Sequence, residues 1–286
     1  MDRHRRTSRA VLAAVLAVVV TGCTAPDRTS ERPAAAGTTT EAAAADVTGV
    51  LLQFRRDVAR GRVEVRLTAS AEDLAVDGLE LVAPGLTARP GDPRGAALRP
   101  GTALDFPVVV AGDCAVAPGP PAAVVHLRDG AGAARQATVP LEDDGLVRRL
   151  HDGLCFADSL LRQVAIEVVD LREVEGPALR ATVRLRRLAG DDPVRLTRVD
   201  PNTVYDISPV GPLPQLDGDG AVSGDLRLVP ARCDVHALGE SYRTGLIGLV
   251  VEVGDEEPRS FVLTPDPAVR QRIEAFAVET CREGAD

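Results

Sequence analysis

No lysine occurs anywhere in the 286 residues, so all 33 basic side chains are arginine. Tryptophan is also absent, and tyrosine occurs only at Tyr205 and Tyr242. Sugar-binding modules lay flat aromatic platforms against their ligand, and single-stranded nucleic acid is gripped by stacking on rings. A chain this poor in rings disfavours both roles. Catalytic signatures are missing too: there is no Gly-x-Ser-x-Gly elbow, Ser-x-x-Lys, His-Glu-x-x-His or phosphate-binding loop. Triads can assemble from residues distant in sequence. With only His126, His151 and His236 beyond the leader, however, the pool of general bases is small. A hydrolase therefore ranks last among the function classes, and the chain reads as a non-enzyme with no cofactor and no metal.

The chain begins with a basic stretch, Met1–Arg9, followed by an apolar run from Ala10 to Val20. A bilayer span needs about twenty apolar residues, so this run fits a secretory signal rather than a retained membrane helix. It ends in Val20-Thr21-Gly22-Cys23. Small residues before a cysteine let a peptidase close on the chain, and the thiol then serves as nucleophile for acylation. This string resembles the lipobox of bacterial lipoproteins. The resemblance implies cleavage before Cys23, lipid on Cys23, and a place on the outer face of the cell membrane. Arg5-Arg6 suggests the twin-arginine route, but its flanks are poor and the general secretory route is preferred.

Residues 1–22 carry one Asp and four Arg, a net +3, so the mature chain stands near −12 against −9 for the whole. Such a body repels nucleic acid and anionic lipid, and its membrane attachment is expected through the anchor alone. Residues 23–46 are rich in Thr, Ala, Pro and Glu without an apolar period, which predicts a disordered tether reaching on the order of 25–30 Å. The Arg, Ala, Val, Asp, Gly and Pro bias is that of a GC-rich, actinobacterial genome and carries no functional message.

Four cysteines remain: Cys114, Cys155, Cys233 and Cys281. Outside the cytoplasm an even count points to disulfides, with three possible pairings. An internal repeat selects one of them. Cys114 and Cys233 are each followed by a loop and an apolar strand, Val124–Leu127 or Val250–Val253. A turn and a second strand come next, Gln136–Val139 or Ser260–Leu263. Each unit then closes with a helix-like segment ending on Cys155 or Cys281. Counting back from those cysteines, Val147 matches Ile273 and Leu150 matches Phe276, and Asp266-Pro267 supplies a helix start. Upstream, Arg62–Leu67 parallels Ala181–Leu185, and Leu79–Val82 parallels Val194–Thr197. Equivalent units require equivalent bridges, Cys114 with Cys155 and Cys233 with Cys281.

The mature chain thus reads as two copies of one unit, 47–157 and 158–283. Within each, short Val-rich alternating strands are separated by Gly, Pro and Asp clusters. The fold expected is mainly β: two tandem immunoglobulin- or fibronectin-like β-sandwich domains, each closed by a short C-terminal helix. One larger α/β body is the alternative, but long helical periods between strands are missing.

The most distinctive string is Arg232-Cys233-Asp234-Val235-His236-Ala237-Leu238-Gly239-Glu240. It resembles an Arg-Cys-Asp-x-His segment of actinobacterial secreted proteins and lipoproteins that have no assigned function. Asp234, His236 and Glu240 form a candidate binding group with oxygen and nitrogen donors. The plainer reading has Asp234 and His236 bonding the loop after a disulfide cysteine, which also removes the thiolate of a Cys-x-x-His zinc half-site. His126 is expected on the solvated face of a strand, and His151 in the last turn of the first helix, where a cation suits the dipole. Leu216-Asp-Gly-Asp-Gly220 lacks the later ligands of a calcium loop and reads as a turn. Together these features point to a lipid-anchored envelope protein that is non-enzymatic and serves as a protein-interaction or scaffold module with an envelope protein partner. The alternative is a small-ligand or metal-binding lipoprotein.

Overall fold

The computed structural model describes residues 46–283, apart from 59, 90–92, 94 and 241. The signal segment, Cys23 and the tether up to residue 45 lie outside the described residues. The first repeat contains β1 (Val47–Leu52), helix α1 (Arg55–Val58), β2 (Arg62–Ala69), β3 (Leu74–Val82) and β4 (Leu86–Arg89). It continues through β5 (Ala96–Leu98), β6 (Ala103–Gly112), β7 (Ala122–Asp129), β8 (Ala134–Glu142) and helix α2 (Leu146–Gln163). The second contains β9 (Val164–Val174), β10 (Ala178–Arg187), β11 (Val194–Asp200), β12 (Tyr205–Val210) and β13 (Gln215–Leu216). It ends with β14 (Ala221–Pro230), helix α3 (Val235–Glu240), β15 (Ile247–Val253), β16 (Arg259–Leu263) and helix α4 (Pro267–Glu283).

The strand order repeats without exception. In the first unit, β4-β6-β2-β1 faces β8-β7-β3-β5; in the second, β12-β14-β10-β9 faces β16-β15-β11-β13. With the strands lettered A to G, this is the constant-type immunoglobulin arrangement, A-B-E-D over G-F-C. The short β5 or β13 is added beside strand C. Val63, Val65 and Leu67 of β2, like Ala181, Val183 and Leu185 of β10, are buried at every second position, as a half-buried strand requires.

Both C strands also carry a bulge against F. The register of β3 with β7 slips between Val76 and Gly78, and that of β11 with β15 between Leu196 and Arg198. The paired bulges equate Leu74–Asp77 with Val194–Thr197, five residues upstream of the match suggested by sequence. Period-2 alternation runs through both stretches of β3 and cannot distinguish them; the extra residue of the bulge does.

One difference separates the sandwiches. In the first, a short parallel ladder pairs Gly49 with Leu141 and Val50 with Glu142, joining the two sheets through β1 and β8. A Cβ at Gly49 would run into Leu141 Cδ2 and lie 3.2 Å from Val139 Cγ1. Gly49 pairs with Leu67 and Ile166 with Leu185, so Ile166 is the counterpart of Gly49. Ile166 is buried, and β9 and β16 form no ladder.

The described residues form two hydrophobic cores, one per sandwich, within the compact unit that spans residues 38–286. Helix α2 serves both. Leu146 and Val147 are buried in the first core, with Leu150 and Leu154 packed against it, while Phe156 and Leu160 belong to the second. The first terminal helix therefore does not stop at Cys155, as the sequence suggested, but runs on to Gln163 and enters β9 directly. No Gly or Pro lies between Leu154 and Val164, and Arg162 pairs with Asp158 across one turn. Nothing local ends the helix. The division placed between residues 157 and 158 consequently falls inside α2.

Disulfides join Cys114 to Cys155 and Cys233 to Cys281, with Cα atoms 5.6 and 5.2 Å apart. Each ties the loop after strand E to its terminal helix. Val147, Ile273 and Phe276 are buried, as the repeat required. The buried Tyr205 hydroxyl donates to the Ile273 carbonyl at 2.7 Å, fixing α4 to the second sandwich.

Candidate functional site

The Arg232–Glu240 string begins just after β14. The Cys233–Cys281 bridge pins its start, and Asp234 opens the six-residue helix α3. Asp234 Oδ1 accepts the Ala237 N–H at 2.9 Å, the geometry of an N-cap. Oδ2 accepts from Arg232 Nη2 at 3.1 Å. The Ala237 N–H, followed by the Arg232 guanidinium, holds the Asp234 carboxyl below the usual carboxylate range. Both oxygens of Asp234 are thus engaged in building the loop. His236 is exposed on α3. The side chain of Glu240 lies outside the described residues. Among the described residues no group of three or more His, Cys, Asp or Glu is arranged to hold a metal ion.

His236 does, however, line a cavity of about 240 Å³ whose polar lining is Arg55, Thr203, Arg232, His236, Tyr242 and Arg243. Of these, the sequence placed Arg232 and His236 in its most distinctive string and only His236 in the candidate binding group. Arg55 comes from α1 in the first repeat, while the others come from the second. No described carboxylate lines the cavity, and Arg55 and Arg243 have no carboxylate partner among the described residues. An adjoining cavity of about 400 Å³ shares Tyr242 and adds Arg56 and Arg60. Its one lining carboxylate among the described residues, Glu274, faces Arg270 at 3.6 Å.

The two walls are held from behind. Asn202 donates to the carbonyls of Arg243, Thr244 and Leu246 at 3.3, 3.1 and 3.1 Å. Its own carbonyl accepts the N–H groups of Val204 and Tyr205 at 3.0 and 2.8 Å. On the other side, Asp57 of α1 is fully buried and accepts Arg62 Nε at 2.8 Å. Glu64, also buried, lies 3.5 Å from the same guanidinium. Burial first, then the charge of Asp57, raises the Glu64 pKa. The Asp57–Arg62 pair turns α1 so that its arginines face outward, with Arg56 stacked over Phe54 at 4.7 Å.

The remaining histidines lie elsewhere. His126 is exposed on β7, across from Gly78. His151 sits in the middle of α2 rather than its last turn, because the helix continues twelve residues beyond it. The helix-dipole argument therefore does not apply there. Its Nδ1 is 3.4 Å from Asp152 Oδ1, and it borders a cleft of about 280 Å³ between α2 and the β15–β16 turn. Arg259 crosses that cleft, donating to the Asp152 carbonyl at 2.7 Å and lying over Phe156 at 4.5 Å. Residues 217–220 form the turn between β13 and β14.

The site is thus a basic cleft on a tandem immunoglobulin-like body. A protein of unknown function from Porphyromonas gingivalis W83 is similar to this chain at 15% identity, covering 77% of this chain and 97% of its own, with a TM-score of 0.21. The Yersinia pseudotuberculosis adhesin InvE is similar at 11% identity over 77% of this chain and 59% of its own, with a TM-score of 0.19. Red sea bream transglutaminase is similar at 10% identity over 77% of this chain and 31% of its own, with a TM-score of 0.16. At these TM-scores none of the three carries an argument about function. No protein-family model matches the sequence, and no curated protein matches it.

Proposed function

We propose that this chain is a lipid-anchored protein of the outer face of a bacterial cell membrane. Residues 1–22 are its export signal, lipid on Cys23 is its anchor, and residues 23–46 are its tether. Its two sandwiches act without catalysis, as a module that engages another envelope protein. The lipobox-like Val20–Cys23 string supports the anchor. Among the described residues no helix is long and apolar enough to cross a membrane.

The observation that carries the interaction role is the open side of the second sandwich. Among the described residues β9 and β16 each pair with one neighbour only, and both present valines outward, Val169 and Val262. The corresponding strands of the first sandwich are zipped together. An unpaired strand edge offers backbone donors and acceptors to an incoming strand. Proximity labelling in the host, with the enzyme fused after Asp286, tests this reading. One envelope protein is expected to be enriched, and its labelling should fall when a proline replaces Val262 on the β16 edge. Turnover of a substrate by the purified protein, with no envelope protein enriched, would overturn it.

A further inference from the structure

The two repeats share every strand, so the segments they do not share are unnecessary for the fold. Nine residues, 53–61, separate β1 from β2, whereas three, 175–177, separate β9 from β10. The longer segment contains α1. Thirteen residues, 234–246, lie between Cys233 and β15, against seven, 115–121, between Cys114 and β7. That longer segment contains α3, Tyr242 and Arg243. These two departures from the repeat arise in different sandwiches, yet both line the same cavity, Arg55 from one and His236, Tyr242 and Arg243 from the other.

We propose that this cleft binds a phosphate group, with Arg55 and Arg243 as charged donors, Tyr242 and Thr203 as hydroxyl donors, and Arg232, already paired with Asp234 at 3.1 Å, at its margin. Guanidinium forks match phosphate oxygens in pairs, and donors drawn from separate segments of the chain can meet several oxygens of a tetrahedral anion. In a chain of net charge −9, a cavity with no described carboxylate in its lining is a local attractor for anions. The walls are set before any ligand arrives, because Asn202 fixes the Arg243 loop and the buried Asp57–Arg62 pair fixes α1. Preorganised donors lose less entropy on binding. Arg56 and Arg60 extend the basic surface beyond Tyr242, giving room for the group that carries the phosphate.

The ligand source is either a free phosphorylated small molecule or a phospholipid headgroup, and the probes separate them. The full-length chain in neutral detergent micelles is titrated calorimetrically at fixed ionic strength with inorganic phosphate, glycerol 3-phosphate, glycerophosphoglycerol and, as control, acetate. Saturable binding of the phosphate compounds but not acetate is expected, weakened at least tenfold by Arg55→Gln or Arg243→Gln. Arg89→Gln, on β4, should leave the affinity unchanged. Both cleft arginines are exposed, so these variants should fold, and an unchanged thermal midpoint checks that they do. Binding of the monoesters points to a free ligand; binding of the diester alone points to a headgroup. The proposal is overturned if no phosphate compound saturates, if acetate gives the same response, or if the two cleft variants bind like the parent. None of these results depends on the anchor or on the β9/β16 edge.

Discussion

Replacing Glu64 by glutamine is expected to stabilise the protein at neutral pH. Glu64 lies on β2 with its side chain 4% exposed, and that of Asp57 on α1 is 0% exposed. The two carboxylates share one guanidinium, Arg62, and Asp57 Oδ2 has no hydrogen-bond partner. Because the Glu64 pKa is raised, the folded state binds that proton more tightly than the unfolded chain does. Stability contributed at Glu64 is therefore complete below the ordinary value of 4.5 and is lost as pH climbs through the raised one.

Glutamine has nearly the same shape, carries no charge, and can donate its amide N–H to Asp57 Oδ2. A hydrogen bond to a charged group is worth about 1.5–3 kcal/mol; less the cost of ordering the amide, the gain should be about 1–2 kcal/mol. For a chain of this size each kcal/mol moves the thermal midpoint by roughly 2–4 °C. Urea unfolding of both proteins from pH 4 to pH 8 is the assay. The gap should be largest at the alkaline end and narrow toward pH 4. A variant no more stable than the parent at pH 7.5, or a gap that ignores pH, would refute the reasoning.

Two further substitutions probe the architecture. Gly49→Val should overpack the β1–β8 ladder against Leu141 and Val139, costing about 1–3 kcal/mol. Hydrogen exchange should quicken in β8, whereas the same exchange pattern as the parent would show that glycine is not what closes the first sandwich. Leu160→Ala removes a side chain that is 1% exposed and should cost about 2–5 kcal/mol. Protection should fall first in β9, β10 and β15 of the second core, and a loss confined to the first sandwich would contradict the assignment of the last turns of α2.

Much of the fold was legible because it is written twice. Two spans that each end in a cysteine-bearing helix are enough to pair Cys114 with Cys155 and Cys233 with Cys281, and alternation marks β2 and β10 correctly. The end of α2 was not legible, because a helix shared by two cores has no cap to announce a boundary; Phe156 reads as the tail of one unit but packs in the next. Nor was the alignment of β3 with β11, where a bulge shifts the register without disturbing alternation. The basic cleft escaped attention for another reason. Arg55 and Arg243 lie 188 positions apart in sequence, and an isolated arginine on a polar segment looks like ordinary surface. The one available signal was negative: residues 53–61 and 234–246 are where the two copies fail to match.

The anchored arrangement is tested most directly at Cys23. Mass spectrometry of protein isolated from host membranes should find an N-terminal peptide beginning at Cys23 with lipid in thioether linkage. Cys23→Ala should release the protein from the membrane fraction. A peptide that runs unmodified through Cys23, from protein still held at the membrane, would contradict the account.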